Sequence, residues 1–324
     1  MPQTTYRVLV STDLGGDPDD IQSLFRLVHY SDILKVEGLV SSPGPGAKPS
    51  VDQIQHWVMR ADVDHLRERG HADLMPEREI LSSIRQGHSH PIEPGDGKSS
   101  PGSEWIVKRA NAPDPESKAR PLWVLAWGSL TDVAQALHDD PGIAEKIRIY
   151  YIGSSNTKAD PVSRDYVYAG MKDKWPKLWW IENGVMPHMS KDTFRGVYLG
   201  GDQSGEWSNQ TFVERNILGH GSTHGSMFKE RCGDVFPKAH MQKGWLKEGD
   251  SPSMLYLLSP VLGGVGNVDD PTRESWGGRF RKPEPEKYPN YYCDLNADPE
   301  TCRATISKWR VQYLSDWKKR WDWY

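Results

Sequence analysis

The stretch Val8–Leu24, VLVSTDLGGDPDDIQSL, constrains this chain more than any other. A short apolar strand (Arg7–Ser11, RVLVS) runs through a glycine-containing turn into a helical period, with Ile21, Leu24, Phe25, Leu27 and Val28 spaced along Asp19–Tyr30. Four aspartates, Asp13, Asp17, Asp19 and Asp20, follow the carboxyl end of that strand, the edge at which open α/β sheets bind ligands. Crowded carboxylates repel one another unless a cation or protons neutralise them. Oxygen donors with no nearby cysteine or paired histidine favour a hard cation, Ca2+ or Mg2+, over zinc. Two aspartates at the helix start suit its positive dipole end, and capping needs one aspartate, not four.

The pattern then repeats. Val36–Ser42 reads as a second strand and Val51–Arg69 as a second helix. Leu122–Trp127, Ile147–Gly153 and Leu178–Ile181 read as further strands, with a helix over Leu130–His138. Strands alternating with helices predict a parallel sheet with helices on its faces. Ala72–Ser103 is polar and rich in Gly, Pro and His, and is expected to be a loop-rich insertion near a site. Gly200–Gly249 shows no sustained period, and Ser253–Leu258 restarts a short apolar segment. No internal repeat or Pro/Ser-rich linker divides residues 1–324, so one domain with long loops is expected. At its end Trp309, Tyr313, Trp317 and Trp321 recur every four residues, which predicts an amphipathic helix over about 303–321 with an aromatic stripe packed on the body.

Composition narrows the function classes. Lys and Arg total 40 against 44 Asp and Glu, a formal charge of −4, which excludes a basic nucleic-acid footprint. No apolar run approaches the roughly 18 residues of a membrane span. The start MPQTTYRVLV has neither a charged n-region nor an apolar h-region. If a signal peptide has been removed, a secreted or periplasmic protein is favoured; otherwise a cytoplasmic one. Fourteen Trp beside six Phe is unusual, and indoles serve either as packing anchors or as platforms for a flat ligand such as a sugar. Trp123, Trp179 and Trp180 fall in strands and read as core. Trp207 and Trp276 sit among glycines in loops and could serve either role. Cys293 and Cys302 could close a small loop and leave Cys232 free, or all three could be reduced.

With these residues in hand, STDLGGDPDD resembles the aspartate cluster that opens the nucleoside hydrolase (inosine–uridine N-ribohydrolase) superfamily. It is closer still to the nucleoside-hydrolase-like family often described as cellulose-binding. Further segments in the same order carry the resemblance: YSDILKVEGL, PLWVLAWGSLTDVAQAL, KEGDSPSMLYL, SWGGRF and KWRVQYLSDWKKRWDWY. The resemblance implies an α/β, nucleoside-hydrolase-like fold: an open, mostly parallel sheet flanked by helices, with long active-site loops. Members of that family often continue into a β-sandwich domain, and none is expected within these residues.

The resemblance also implies roles. Asp13 matches the catalytic aspartate, which binds the metal and takes a proton from the attacking water. Asp20 matches a bidentate metal ligand at the helix start, and Asp19 its neighbour that hydrogen-bonds a ribose hydroxyl. Trp127 falls where a backbone carbonyl ligates the metal, and Asp250 matches the late aspartate ligand. Asn156 and Asn183 lie where sugar-binding asparagines are placed. The implied cofactor is Ca2+, which accepts irregular oxygen coordination. The implied partner is a small nucleoside or glycoside, not a nucleic acid or a membrane; self-association is left open.

Three departures bear on the reading. The spacing from Asp13 to Asp19 is two residues longer than in classical nucleoside hydrolases, Ser11 replaces a strand aspartate, and Gly249 stands where purine-active relatives have a histidine that helps the base leave. Replacement acids are His220, His224, His240 or Glu182, with His220, His224 and Trp207 entering as substrate-binding candidates. For each histidine an ordinary hydrogen-bonding role is the commoner use. Three readings result. One is a metal-dependent glycosidic hydrolase, with an oxocarbenium-like transition state. Another is a carbohydrate-binding protein that kept the fold and lost turnover. A phosphatase is the weakest, because Ser11 and Asp13 do not form its usual aspartate pair.

Overall fold

Branched and aromatic side chains at consecutive positions suit strands buried on both faces, as in parallel sheets. Val8, Leu9 and Val10 are all fully buried, as are Val124 and Leu125. The computed structural model describes residues 6–15, 18–114, 119–185, 191–218, 220 and 245–324. Asp17, His224, His240 and Cys232, singled out above, lie outside the described residues. The strands are β1 (Tyr6–Thr12), β2 (Leu34–Ser41), β3 (Ile84–Gln86), β4 (Leu122–Ala126), β5 (Ile147–Ile152), β6 (Trp179–Asn183) and β7 (Tyr291–Cys293). They form one sheet in the order β3-β2-β1-β4-β5-β6-β7, and every pairing within it is parallel.

Helices cover both faces: α1 (Asp19–His29), α2 (Val51–Ala61), α3 (Val63–Glu68), α4 (Glu77–Ser82), α5 (Pro101–Asn111), α6 (Thr131–Asp139), α7 (Ser155–Ala159) and α8 (Pro161–Asp173). They continue as α9 (Asn209–Asn216), α10 (Pro252–Leu258), α11 (Pro299–Ser307) and α12 (Arg310–Trp321). Side chains alternate along each strand, so two cores result. Val8, Val10, Trp123, Leu125 and Ile181 join α1, α2 and α12 on one face. Leu9, Val124, Ile149 and Trp180 join α5, α6 and α8 on the other. Among the described residues no helix is long and apolar enough to cross a membrane.

Several elements differ from the sequence-based expectation. Ala72–Ser103 holds α4, the edge strand β3 and the start of α5; a strand of three residues offers too few positions for a period to show. The expected helix Val51–Arg69 is broken at Asp62, which takes a left-handed conformation with φ of 48°. The C-terminal period spans two helices, with a break at Lys308–Trp309 between α11 and α12. Cys293 and Cys302 are free and buried, and burial pushes the Cys293 thiol up to about 12. Native-state alkylation with iodoacetamide at about pH 8, where thiolate is the reactive form, should therefore leave Cys293 unmodified on peptide mapping. Labelling there before unfolding would contradict this burial.

The aromatic stripe packs as expected. Trp317 and Trp321 are fully buried, the Trp317 indole N–H donates to His29 Nδ1 at 3.0 Å, and its ring stacks on Phe212 at 6.2 Å. Trp317→Ala should cost about 3–5 kcal/mol in urea denaturation, the usual cost of emptying a buried aromatic site. A loss below about 1 kcal/mol would mean that the surrounding helices close over the void.

Candidate functional site

The chain leaves β1 for β2 on one side, and β4 pairs with β1 on the other, so the crevice between their carboxyl ends is the topological switch point of the sheet. Backbone hydrogen bonds stitch this edge together. Trp127 and Gly128 N–H both donate to the Ser11 carbonyl, at 2.7 and 3.1 Å, while Ser42 N–H donates to Thr12 at 2.8 Å and Ser129 N–H to Pro43 at 2.9 Å. Asp13 follows β1 directly and is buried. Its side chain occupies space left by glycine: a Cβ on Gly44 would stand 1.7 Å from Asp13 Oδ2, and one on Gly128 would stand 3.0 Å from Asp13 Cβ.

Asp19, Asp20 and Asp250 each offer a carboxylate oxygen within 4.8 Å of the others. Asp19 and Asp20 open α1, and Asp250 precedes α10. Thr12 Oγ1 donates to Asp20 Oδ1. The Asp250 carbonyl accepts from Ser253 Oγ at 2.6 Å, and the Trp127 indole N–H donates to that same Ser253 Oγ at 2.9 Å. Trp127 therefore braces the Asp250 turn through its side chain as well as lying beside Asp13 through Gly128. Lys247 Nζ stands 3.7 Å from Asp19 Oδ2.

At such separations each carboxylate pair repels by roughly 3–4 kcal/mol at an effective dielectric near 20. One ammonium beside Asp19 offsets part of this. An all-oxygen, largely buried donor set of this kind fits a hard divalent cation. Of the expected ligands, the trio holds Asp20 and Asp250, and Asp19, expected beside them at the sugar, joins them.

The remaining expected residues divide into two groups. Asn156, in α7, donates through Nδ2 to the Trp127 carbonyl at 2.5 Å and to Ile152 at 2.9 Å, and so belongs to the same edge. Asn183 ends β6, is fully buried, and donates to the Tyr151 carbonyl at 3.3 Å. Trp207 and His220 are held by the C-terminal region instead. Trp207 stacks on Phe212 at 6.5 Å and accepts from Arg310 Nε through its carbonyl at 2.6 Å; His220 Nε2 pairs with Asp322 at 3.0 Å. Trp276 is buried with its indole against Gly263. Glu182, considered as an acid, is buried in a bidentate pair with Arg164 at 2.9 and 2.8 Å.

Sequence reasoning missed a second brace. Asp132, in α6, is buried and accepts from Ser42 Oγ at 3.0 Å, Ser100 Oγ at 2.6 Å and His88 N at 3.1 Å, with His88 Nδ1 at 2.9 Å. It thereby ties the ends of β2 and β3 to the turn after β4. A cavity of about 460 Å³ also opens on this molecule. It lies at the amino ends of β4 to β6, away from the aspartates, and its Arg120 and Lys177 are paired with Asp114 and Glu145.

A cluster of carboxylates at the switch point of a seven-stranded parallel sheet is the arrangement of a nucleoside-hydrolase-like α/β protein. Residues 7–280 match the family described as cellulose-binding Sde182, nucleoside hydrolase-like domain, and the chain belongs to that family. A nucleoside hydrolase-related hypothetical protein from Saccharophagus degradans, associated with carbohydrate metabolism, shares the fold with a TM-score of 0.68 and 22% identity, over 98% of this chain and 72% of its own. A plant nucleoside hydrolase, PpNRh1, gives 0.53 and 15% over 96% of this chain and 99% of its own. The type III effector XopQ, solved with adenosine diphosphate ribose, gives 0.50 and 14% over 97% and 94%. At these identities the likeness is one of fold. No curated protein matches the chain.

The Asp132 brace carries a pH dependence. Its hydrogen bond raises the His88 pKa above the usual 6.5 against the opposing effect of burial. A raised folded value gives stability that is full below the unfolded pKa and lost as pH rises through the folded one. The urea midpoint should therefore fall as pH rises above about 6.5, and His88→Gln should flatten that slope. An unchanged slope in the variant would assign the dependence to another group.

Proposed function

We propose that this protein hydrolyses the glycosidic bond of a small nucleoside or other glycoside bearing adjacent hydroxyls. The observation that carries this reading is the convergence of Asp19, Asp20 and Asp250 within 4.8 Å, beside the glycine-lined seat of Asp13. Asp19, Asp20 and Asp250 would hold a divalent cation, with Ca2+ the best match to the donor set and the Trp127 carbonyl on the same edge. When bound, such an ion supplies charge neutralisation and polarises water and sugar hydroxyls.

The chain's own residues account for the remaining chemistry. Asp13 is the base: one of its Oδ atoms accepts the proton of the water whose oxygen bonds to the anomeric carbon. The bond from that carbon to the leaving group breaks, and its electron pair departs with that group. Carboxylates around the site stabilise the positive charge that develops on the sugar ring. Asp19, steadied by Lys247, accepts a hydrogen bond from a sugar hydroxyl, and Asn156 holds the Trp127 carbonyl in place.

Among the described residues, the leaving-group side is less equipped. Gly249 presents no side chain, and a Cβ there would stand 2.6 Å from Asp19 Oδ2, so a larger residue would displace Asp19. Groups that leave without a proton are therefore the favoured substrates. The family's description as cellulose-binding supports a second reading, retention of a polysaccharide without turnover.

A reducing-sugar release screen across nucleosides and aryl glycosides, with and without a chelator, separates the two. Release should require Ca2+, be faster for 4-nitrophenyl glycosides than for purine nucleosides, and drop by about 10²–10⁴-fold in Asp13→Ala. A protein that retains cellulose yet releases no sugar from any of these with Ca2+ present is a binding protein.

A further inference from the structure

Arg26 and Glu248 form a buried ion pair that the reaction itself does not use. Both side chains are fully buried, and the contact is bidentate, with Nε to Oε2 and Nη2 to Oε1 each at 2.6 Å. The two residues come from the elements that carry the aspartates. Arg26 lies in α1, which Asp19 and Asp20 open, and Glu248 stands two residues before Asp250. The contact extends on both sides of the pair. Ser251 Oγ donates to Glu248 Oε2 at 2.7 Å and meets Ser23 Oγ at 3.0 Å. Gln22 donates to the Trp245 carbonyl at 3.0 Å and accepts from Lys247 N–H at 2.7 Å. One face of α1, formed by Gln22, Ser23 and Arg26, is thus zipped to segment 245–251. The guanidinium plane also lies 4.0 Å from the Trp317 ring of α12.

A pair this deeply buried is weak evidence of a gain in stability, because desolvating two charges offsets most of their attraction. Its chemistry suits register instead. A bidentate fork fixes both distance and orientation, whereas an apolar contact lets a helix slide or turn by a fraction of an ångström. We propose that Arg26 and Glu248 are positioning residues for the carboxylate site, setting the distance between Asp19 and Asp20 on α1 and Asp250 on the facing turn. This rests on the reading of those aspartates as a cation site. Three carboxylates converge from two elements remote in sequence, α1 and segment 245–251, so a small slip of one along the other opens the donor set.

The test is a cation titration on the full chain, by terbium luminescence and by Ca2+ calorimetry, with thermal unfolding followed alongside. The variants are Arg26→Met with Glu248→Met together, which keeps volume and removes both charges, and Glu248→Gln, which keeps shape. Wild-type protein should bind the ion. The folded double variant should bind it about 10–100-fold more weakly, the usual effect of losing a group that orients ligands, while its unfolding temperature stays near the wild-type value. A purely structural pair would move the unfolding temperature and leave the affinity alone. A folded double variant with affinity within about twofold of wild type overturns the proposal. Should the double variant fail to fold, Glu248→Gln decides by the same criterion. If wild-type protein binds neither ion, the cation reading falls as well; if wild type binds and the variants match it, only the positioning role falls.

Discussion

Mutual repulsion among carboxylates is the constraint on which the site end of this molecule depends. Asp19, Asp20 and Asp250 converge in a space where like charges push apart by several kcal/mol. Left to themselves, a helix start and a loop carrying such groups would separate. The surrounding contacts oppose that separation from three directions: the Arg26–Glu248 pair along α1, the Trp127–Ser253 hydrogen bond below the Asp250 turn, and Lys247 beside Asp19. Lys247 contacts Asp19 directly, and the other two act through the elements that carry the aspartates. The framework therefore holds the three carboxylates within 4.8 Å of one another despite their repulsion.

The same logic accounts for the glycines at this edge. Gly44, Gly128 and Gly249 have neighbours where a Cβ would lie, and those neighbours are Asp13 and Asp19. Absence of a side chain at these positions admits the carboxylates to the crevice. It also links two positions far apart in the linear chain: the missing side chain at Gly249 leaves the room that Asp19 Oδ2 occupies. The tryptophan excess has a comparable explanation. Trp123, Trp127, Trp180, Trp317 and Trp321 are wholly buried, filling volume that a chain poor in aliphatic residues would otherwise leave empty. Trp317 does this while covering Arg26, so an indole of the C-terminal helix shields the charge pair behind the site.

Much of the fold was legible from local pattern. The strand–turn–helix of Arg7–Tyr30 and the strands at Val36, Leu122 and Ile147 are long and apolar enough for periodicity to register. The all-parallel order follows from their alternation with helices. Short elements escaped, because β3 and β7 owe their strand geometry to neighbours already in the sheet rather than to their own residues. Helix breaks at Asp62 and at Lys308–Trp309 escaped for a related reason: one residue can leave the helical path while the apolar period continues past it.

What the sequence by itself determined was the family's fold and a set of candidate carboxylates. Aspartates crowded after a first strand, with another far along the chain, need positive charge or shared protons beside them wherever they meet. Tertiary structure alone decided which of them meet. Asp19 and Asp20 share a helix turn with each other and face Asp250 across the contacts that join α1 to segment 245–251; Asp13 lies against Gly44 and Gly128; and Trp207 and His220 are drawn to the C-terminal region. The physical reason is that a distance between residues remote in sequence is set by the packing of the elements that carry them. In this protein that packing turns on a charge pair, Arg26 with Glu248, that no local pattern reveals.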